Sequence, residues 1–328
     1  MILSSIHNLR TLILQELSSL ITEDYVLLDI PNHKNIGDQL IYKGELDFFD
    51  TMPFKCISQS SVTFTFSDEI KPNTVLMHGG GNFGDLYPMH QRFREKVIQK
   101  NPDKKIIVLP QSVHFKDEVE VLKSAAIFNE HPDLTLCVRD QYSFDYVTKY
   151  FSGCTIVLMP DMAFCSHYKT SKEATKDLLI MRRRDFEVGD AGEIELSTEY
   201  NVSDWTTFEP SLKENMAKYY EKINNKLSRW FLQAIKKNSV FGLIPLRKEN
   251  EYIQLGINLV SSYKFVISTR LHGHILCLLL GIPSIIVDNS YGKNKRFHQA
   301  WLKDIEGSYF SNTIEEALEL YHTIKNGK

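Results

Sequence analysis

The chain is poor in cysteine and shows no pattern among the few it has: Cys56, Cys137, Cys154, Cys165 and Cys277 are odd in number and form no CxxC pair. They suggest neither a disulfide framework nor a zinc site, and no metal is expected; scattered free thiols suit a reducing compartment, the cytoplasm. A charge excess is also missing. Against 41 Asp and Glu stand 38 Lys and Arg, a formal charge of −3, so no general basic field exists to hold nucleic acid or an anionic membrane. Any bound anion must be held locally. Long apolar runs are absent too: Ile275 to Ile282 is less than half of the roughly 20 residues that cross a bilayer. Apolar positions at Ile2, Ile6, Leu9, Ile13, Leu17 and Leu20 have helical spacing, and Arg10 and Glu16 interrupt them, which predicts a packed helix and not an export signal. Neither a repeat of fixed period nor a low-complexity tract is present.

What the chain does have is rhythm. Its 328 residues are 43% hydrophobic and 24% charged, enough for two globular units of about 150 residues each. Short β-rich runs (Tyr25 to Ile30, Thr74 to His78, Ile106 to Leu109, Leu134 to Val138, Thr155 to Leu158) alternate with helix-like stretches (Asp38 to Phe49, Leu86 to Lys100, Asp117 to Asn129, Gln141 to Tyr150). This alternation predicts an α/β fold with a doubly wound parallel sheet. The polar tract from His167 to Asp177 reads as a connection, so the expected units are 1–168 and 169–328, each Rossmann-like, with a cleft between them and the last helix returning to the first unit. In the second unit strands are expected at Leu178 to Met181, Val240 to Ile244, Lys264 to Ser268 and Ser284 to Val287, and helices at Ser211 to Lys237, Glu251 to Ser261, His272 to Leu280 and Ile314 to Ile324.

Three constellations carry chemistry. His78-Gly79-Gly80-Gly81-Asn82-Phe83-Gly84-Asp85 follows an apolar strand; its glycines would let main-chain NH groups approach an anion or a sugar, although neither a Walker nor a GxGxxG spacing is present. Ser268-Thr269-Arg270-Leu271-His272-Gly273-His274 ends another strand and joins a permanent donor fork to a group that exchanges protons near neutrality. His272 or His274 could equally be a buried structural histidine. Arg139 ends a third strand, with Asp140 as a helix cap. Loops at Asn35 to Asp38, Pro110 to His114 and Pro160 to Ala163 fall at the same sheet edge, and the run from Asp288 to Arg296 brings Lys293 near it.

Together these residues resemble the polysaccharide pyruvyl transferase family: an IGD segment at Ile36 to Asp38, the GGGNFGD loop at Gly79 to Asp85, PQS at Pro110 to Ser112, RD at Arg139 and Asp140, and RLHGH at Arg270 to His274 leading into GIPSIIVDNSYGK. The resemblance implies a GT-B-like fold and an enzyme that transfers the enolpyruvyl unit of phosphoenolpyruvate to a sugar of a capsule or exopolysaccharide repeat, releasing phosphate and leaving a pyruvate ketal. It needs no cofactor beyond phosphoenolpyruvate as co-substrate. Its partners would be that compound and a sugar acceptor, in some cases a lipid-linked oligosaccharide; a homo-oligomer and a peripheral position at the inner face of the membrane are compatible with it. Phosphoenolpyruvate is a compact dianion, so Arg139, Arg270, Leu271, Gly79, Gly80, Gly81, Asn82 and Lys293 are the expected binding residues. His272 is the expected acid, with Asp38 and His114 as candidates for accepting acceptor-hydroxyl protons. Residues 187–210 follow no family pattern. Two other readings fit the same residues, a nucleotide-sugar glycosyltransferase and a noncatalytic glycan-assembly protein.

Overall fold

The structure is a computed structural model, and it describes residues 2–62, 70, 72–183, 200–205, 249–289 and 292–327. In chain order the elements are α1 (Ile2–Leu20), β1 (Tyr25–Leu28), α2 (Ile36–Phe49), β2 (Cys56–Ser60), β3 (Thr74–Met77), β4 (Gly80–Gly84), α3 (Pro88–Lys100), β5 (Lys105–His114), α4 (Glu118–Asn129), β6 (Leu134–Val138), α5 (Gln141–Tyr150) and β7 (Thr155–Leu158). A 3-10 turn at Met162–Cys165 precedes β8 (Lys176–Met181) and β9 (Asn201–Ser203). Then come α6 (Glu249–Val260), β10 (Tyr263–Ser268), α7 (Leu271–Leu279), β11 (Ser284–Val287), α8 (Lys293–Phe297), a π turn at His298–Leu302, β12 (Ser308–Ser311) and α9 (Ile314–Lys325).

These strands form two sheets, and every recorded strand pair is parallel. The first runs β2-β1-β3-β5-β6-β7, with β4 added alongside β5; the second runs β12-β11-β10-β8-β9. Setting β4 aside, both begin 2-1-3, the order of doubly wound sheets.

The layering follows from period-two alternation along the strands. In β1, Tyr25 and Leu27 face a central core, while Val26 and Leu28 face an outer core covered by α3, α4 and α5. In β8, Leu179 and Met181 face the same central core, and Leu178 and Ile180 face a third core under α9. The central core therefore joins both sheets through α1, α2, α6 and α7. Burying each such Leu, Ile or Val contributes about 1.5–3 kcal/mol. The last helix packs on the second sheet and does not return to the first unit, because Ile314, Ala317 and Tyr321 seal the β10–β11 face. The helices that cross are α1, which packs against α7, and α2, which packs against α6 and α7.

Two departures from the expected elements have physical causes. Pro110 to His114 is not a loop, because β5 continues through it. Pro110 has no NH to donate, and it sits where β5 leaves β3 (Met77 beside Val108) and takes up β4 (Gly80 beside Gln111). The short strands β2, β4, β9 and β12 carry little apolar alternation, and β2 is half-exposed. The expected helix at 211–237 and strand at 240–244 lie outside the described residues.

Candidate active site

In a doubly wound sheet, ligands collect outside the carboxyl ends of the strands where the order reverses. Here the reversals fall between β1 and β3 and between β8 and β10. The loops after these strands meet in one cleft with room of about 380 Å³, lined from the first sheet by His33, Asp38, Gly81, His90 and Arg139, and from the second by Arg183, Arg270, His272 and Lys293.

A chain of polar contacts crosses the floor. Arg139 is 1% exposed; its Nε donates to Ser112 Oγ at 2.9 Å, and Nη1 pairs with Asp161 Oδ2. Asp161 also accepts from the Ala163 NH (2.8 Å) and lies 3.4 Å from His272 Nε2. Burial alone would push the Asp161 carboxyl up, but Arg139 and then His272 outweigh it and hold the group well below the usual carboxylate range. An ionised Asp161 thus neutralises a buried guanidinium and orients an imidazole from the other sheet. On its far side that imidazole rests against Gly37 at the start of α2, where a Cβ would come within 2.8 Å of His272 Nδ1. Any larger residue at position 37 would displace the ring.

Arg270, the residue before α7, makes no side-chain cap, so its guanidinium is directed elsewhere. Nε and Nη2 grip the two oxygens of Asp204, the latter at 2.8 Å. Lys293 opens α8 and brings Nζ, with Arg139 Nη2, against Gly81, a spot that only a glycine leaves open. Facing them, His33 Nε2 lies 3.4 Å from Asp38 Oδ2, and His90 Nδ1 lies 2.7 Å from buried Asp29. Three histidines on this cleft therefore each have a carboxylate neighbour. Trp205 and Tyr87 add aromatic surface, the kind that packs on the apolar face of a sugar ring.

The cleft brings together Asp38, Gly81, Asn82, Arg139, Arg270, Leu271, His272 and Lys293 from the expected set. The glycine segment behaves differently from the expected anion-binding turn. It is strand β4, and the NH groups of Gly79, Asn82 and Gly84 go to Glu45 (2.8 Å), Gln111 (3.3 Å) and Gln91 (3.1 Å). Gly79 and Gly80 lie behind the lining, packed on Glu45 and Ile41. Asn82 lines the cleft, yet its amide oxygen accepts from Arg94 (2.8 Å) and Gln111 (3.2 Å). His114 is carried by the end of β5 into a small neighbouring pocket with Ser112, Asp140 and Arg296, where burial lowers its pKa. His274 is the structural histidine: it bridges Ser284 (2.8 Å) and Ser308 (2.9 Å), and burial pushes it down to about 3.

Sequence reasoning gave no site role to Asp29, His33, His90, Arg183, Asp204 and Trp205, and took Asp161 only as part of the Pro160 to Ala163 loop. Asp161 had a legible signal, a Pro-Asp turn at the edge shared by the other loops. Asp204, in a short segment of no recognised pattern, had none. Among the described residues no group of three or more His, Cys, Asp or Glu is arranged to hold a metal, and no helix is long and apolar enough to cross a membrane.

Parallel α/β sheets with a cleft at their switch points, lined by cations and histidines, have the form of a small-ligand site. Comparison with known proteins makes this specific. The family model for polysaccharide pyruvyl transferase matches residues 35–291, and the chain belongs to that family. It is 31% identical over 286 residues to EpsO of Bacillus subtilis, provisionally named a pyruvyl transferase, with 86% of each chain covered. It is 30% identical over 322 residues to pyruvyl transferase 1 of Schizosaccharomyces pombe, covering 90% of this chain and 74% of that one. A solved structure of a functionally uncharacterized Klebsiella pneumoniae protein superposes with a TM-score of 0.62 at 20% identity, over 93% of this chain and 99% of that one, which shows the shared fold.

Proposed function

We propose that the protein transfers the enolpyruvyl group of phosphoenolpyruvate to a sugar hydroxyl of a polysaccharide repeat unit and closes a pyruvate ketal, on a GT-B-like pair of α/β units working in the cytoplasm. The observation that carries this reading is the convergence of Arg139, Arg270 and Lys293 from both sheets beside an imidazole held by Asp161. Charge-assisted bonds of about 1.5–3 kcal/mol each suit a ligand that carries a carboxylate and a phosphate on three carbons.

In this mechanism His272 protonates the methylene carbon, and the electrons of the double bond leave an oxocarbenium-like centre at the adjacent carbon. A sugar hydroxyl attacks that centre, its proton passing to Asp38, which His33 backs. Departure of phosphate, with the C–O electron pair, regenerates the cationic centre, and a second hydroxyl closes the ring as its proton passes to His272, restoring the acid. Arg270 and Lys293 hold the carboxylate and phosphate charge that changes most along this path. His114 lies in the adjoining pocket, which shares Gly81 and Lys293 with the cleft, and takes no proton in this mechanism.

The test is mass spectrometry of oligosaccharide acceptors incubated with the protein and phosphoenolpyruvate. A product heavier by one ketal-linked pyruvate, formed only when both substrates are present and accompanied by free phosphate, is expected. Phosphate release without a modified glycan, or no reaction across acceptors that other family members use, would count against the assignment.

A further inference from the structure

The smaller pocket that holds His114 has no task in the proposed reaction, yet it opens from the same space. It shares Gly81, Asn289 and Lys293 with the cleft. Its room of about 30 Å³ is roughly twice the 10–15 Å³ that one water needs, the scale of one small ion and too little for a sugar. Two cations reach it from α8. The Lys293 ammonium stands against Gly81, at the boundary with the cleft, and Arg296 lays its guanidinium carbon 3.7 Å from the centroid of the Tyr142 ring. Stacking orders the guanidinium plane without occupying its N–H donors, and Arg296 makes no ion pair among the described residues.

The walls add neutral donors. Ser143 Oγ accepts from the Val113 NH at 2.9 Å and Ser112 Oγ from Arg139 Nε at 2.9 Å, so both oxygens are served, while neither hydroxyl proton has an acceptor among the described residues. Asn289 Oδ1 accepts from the Lys293 NH at 2.9 Å. That bond fixes the amide's orientation, and its NH₂ likewise has no acceptor among the described residues. One carboxylate faces this set: Asp140, 1% exposed, accepts from the Ser143 NH at 2.8 Å through Oδ1, and Oδ2 has no donor among the described residues. His114 adds no charge near neutrality, because burial lowers its pKa, with Asp85 opposing and Lys116, Lys293 and Arg296 assisting.

Several donors around a single buried acceptor suit an oxyanion that still carries one proton. Its bare oxygens take the N–H and O–H groups, and its own hydroxyl donates to Asp140. We propose that this pocket is a subsite for inorganic phosphate, which receives the ion released in the cleft on the other side of Lys293. Sulfate, with no proton to give, would set its charge against Asp140 and be rejected. The origin of the phosphate rests on the reading of the chain as a phosphoenolpyruvate-dependent transferase; its binding does not.

The test is calorimetric titration of the intact protein near neutral pH with phosphate, sulfate and phosphoenolpyruvate in turn. The wild type is expected to bind phosphate, and sulfate at least about 10-fold more weakly. Arg296→Met removes a half-buried side chain without an ion pair, so it should fold normally, bind phosphate roughly 10-fold more weakly and keep its affinity for phosphoenolpyruvate. Asp140→Asn, which retains a good helix cap, should bind sulfate as well as phosphate. A wild type that binds no phosphate, or Arg296→Met that binds it unchanged, overturns the subsite. Equal weakening of phosphate and phosphoenolpyruvate in Arg296→Met also overturns it, since the ion would then occupy the substrate's own place. Undiminished rejection of sulfate by Asp140→Asn contradicts the part given to the carboxylate. Phosphate bound as expected by a protein that forms no ketal from phosphoenolpyruvate would sink the substrate reading and leave the subsite standing.

Discussion

The two sheets share a strand order but bring opposite chemistry to the cleft. From the first come mainly carboxylates and the histidines beside them, Asp29 with His90 and Asp38 with His33; from the second come Arg183, Arg270 and Lys293. The same reversal of strand order places loops at both edges, so topology decides where side chains meet, and the loop residues decide what they do there. Among the described residues that line the cleft, the cation from the first side is Arg139, buried and paired with Asp161, whereas Arg270 from the second is 12% exposed and paired with Asp204. On this account the first side supplies the carboxylates that take protons and steady the imidazole, and the second side supplies that imidazole, His272, together with the cations that hold the anion.

The sharpest way to break that division is at the contact that spans it. Asp161→Ala would leave Arg139 buried without its carboxylate and should cost about 3–5 kcal/mol of stability, read from denaturant unfolding. A variant as stable as the wild type would mean that Arg139 is not compensated there. His272→Ala should lower turnover by roughly 10²–10⁴ while the unfolding midpoint stays near the wild-type value; near-normal ketal formation would remove the imidazole from the chemistry. Arg270→Lys keeps the charge but loses the planar fork, and binding of phosphoenolpyruvate should weaken about 10-fold, or ~1.4 kcal/mol. Unchanged affinity in a titration would show that the second side does not clamp the anion.

A smaller effect concerns the support beneath the first side. His78 Nδ1 lies 2.8 Å from Glu45, and both are buried. Burial opposes the charged imidazole, but Glu45 outweighs it and raises the His78 pKa above 6.5. A raised folded pKa stabilises fully below the unfolded value and is lost as pH rises through the folded value. The stability gap between wild type and Glu45→Gln should therefore be widest in mildly acidic solution and narrow above neutrality. A gap that widens with rising pH would reverse the sign of this interaction.

Much of the fold was legible because buried parallel strands and amphipathic helices leave strong periodic signals: β6, α5 and β11 fall within a residue of their sequence expectations. The misses were elements whose pairing is decided by neighbours and not by their own residues, such as glycine-built β4 and three-residue β9. The site divides similarly. Arg270 and His272 stand in a specific motif, but their partners Asp204 and Asp161 are 66 and 111 positions away, and only the folded chain brings those carboxylates to them. The glycine loop misled because its spacing suggested exposed NH groups, whereas Glu45, Gln91 and Gln111, from three other elements, fill them.

The most direct measurement is ligand-dependent thermal stability of the intact protein. Phosphoenolpyruvate at 100 times its dissociation constant should stabilise by about 2.7 kcal/mol, with a clear rise in Tm that Arg270→Lys reduces, and nucleotide sugars should leave Tm unchanged. Stabilisation by nucleotide sugars and none by phosphoenolpyruvate would contradict the account.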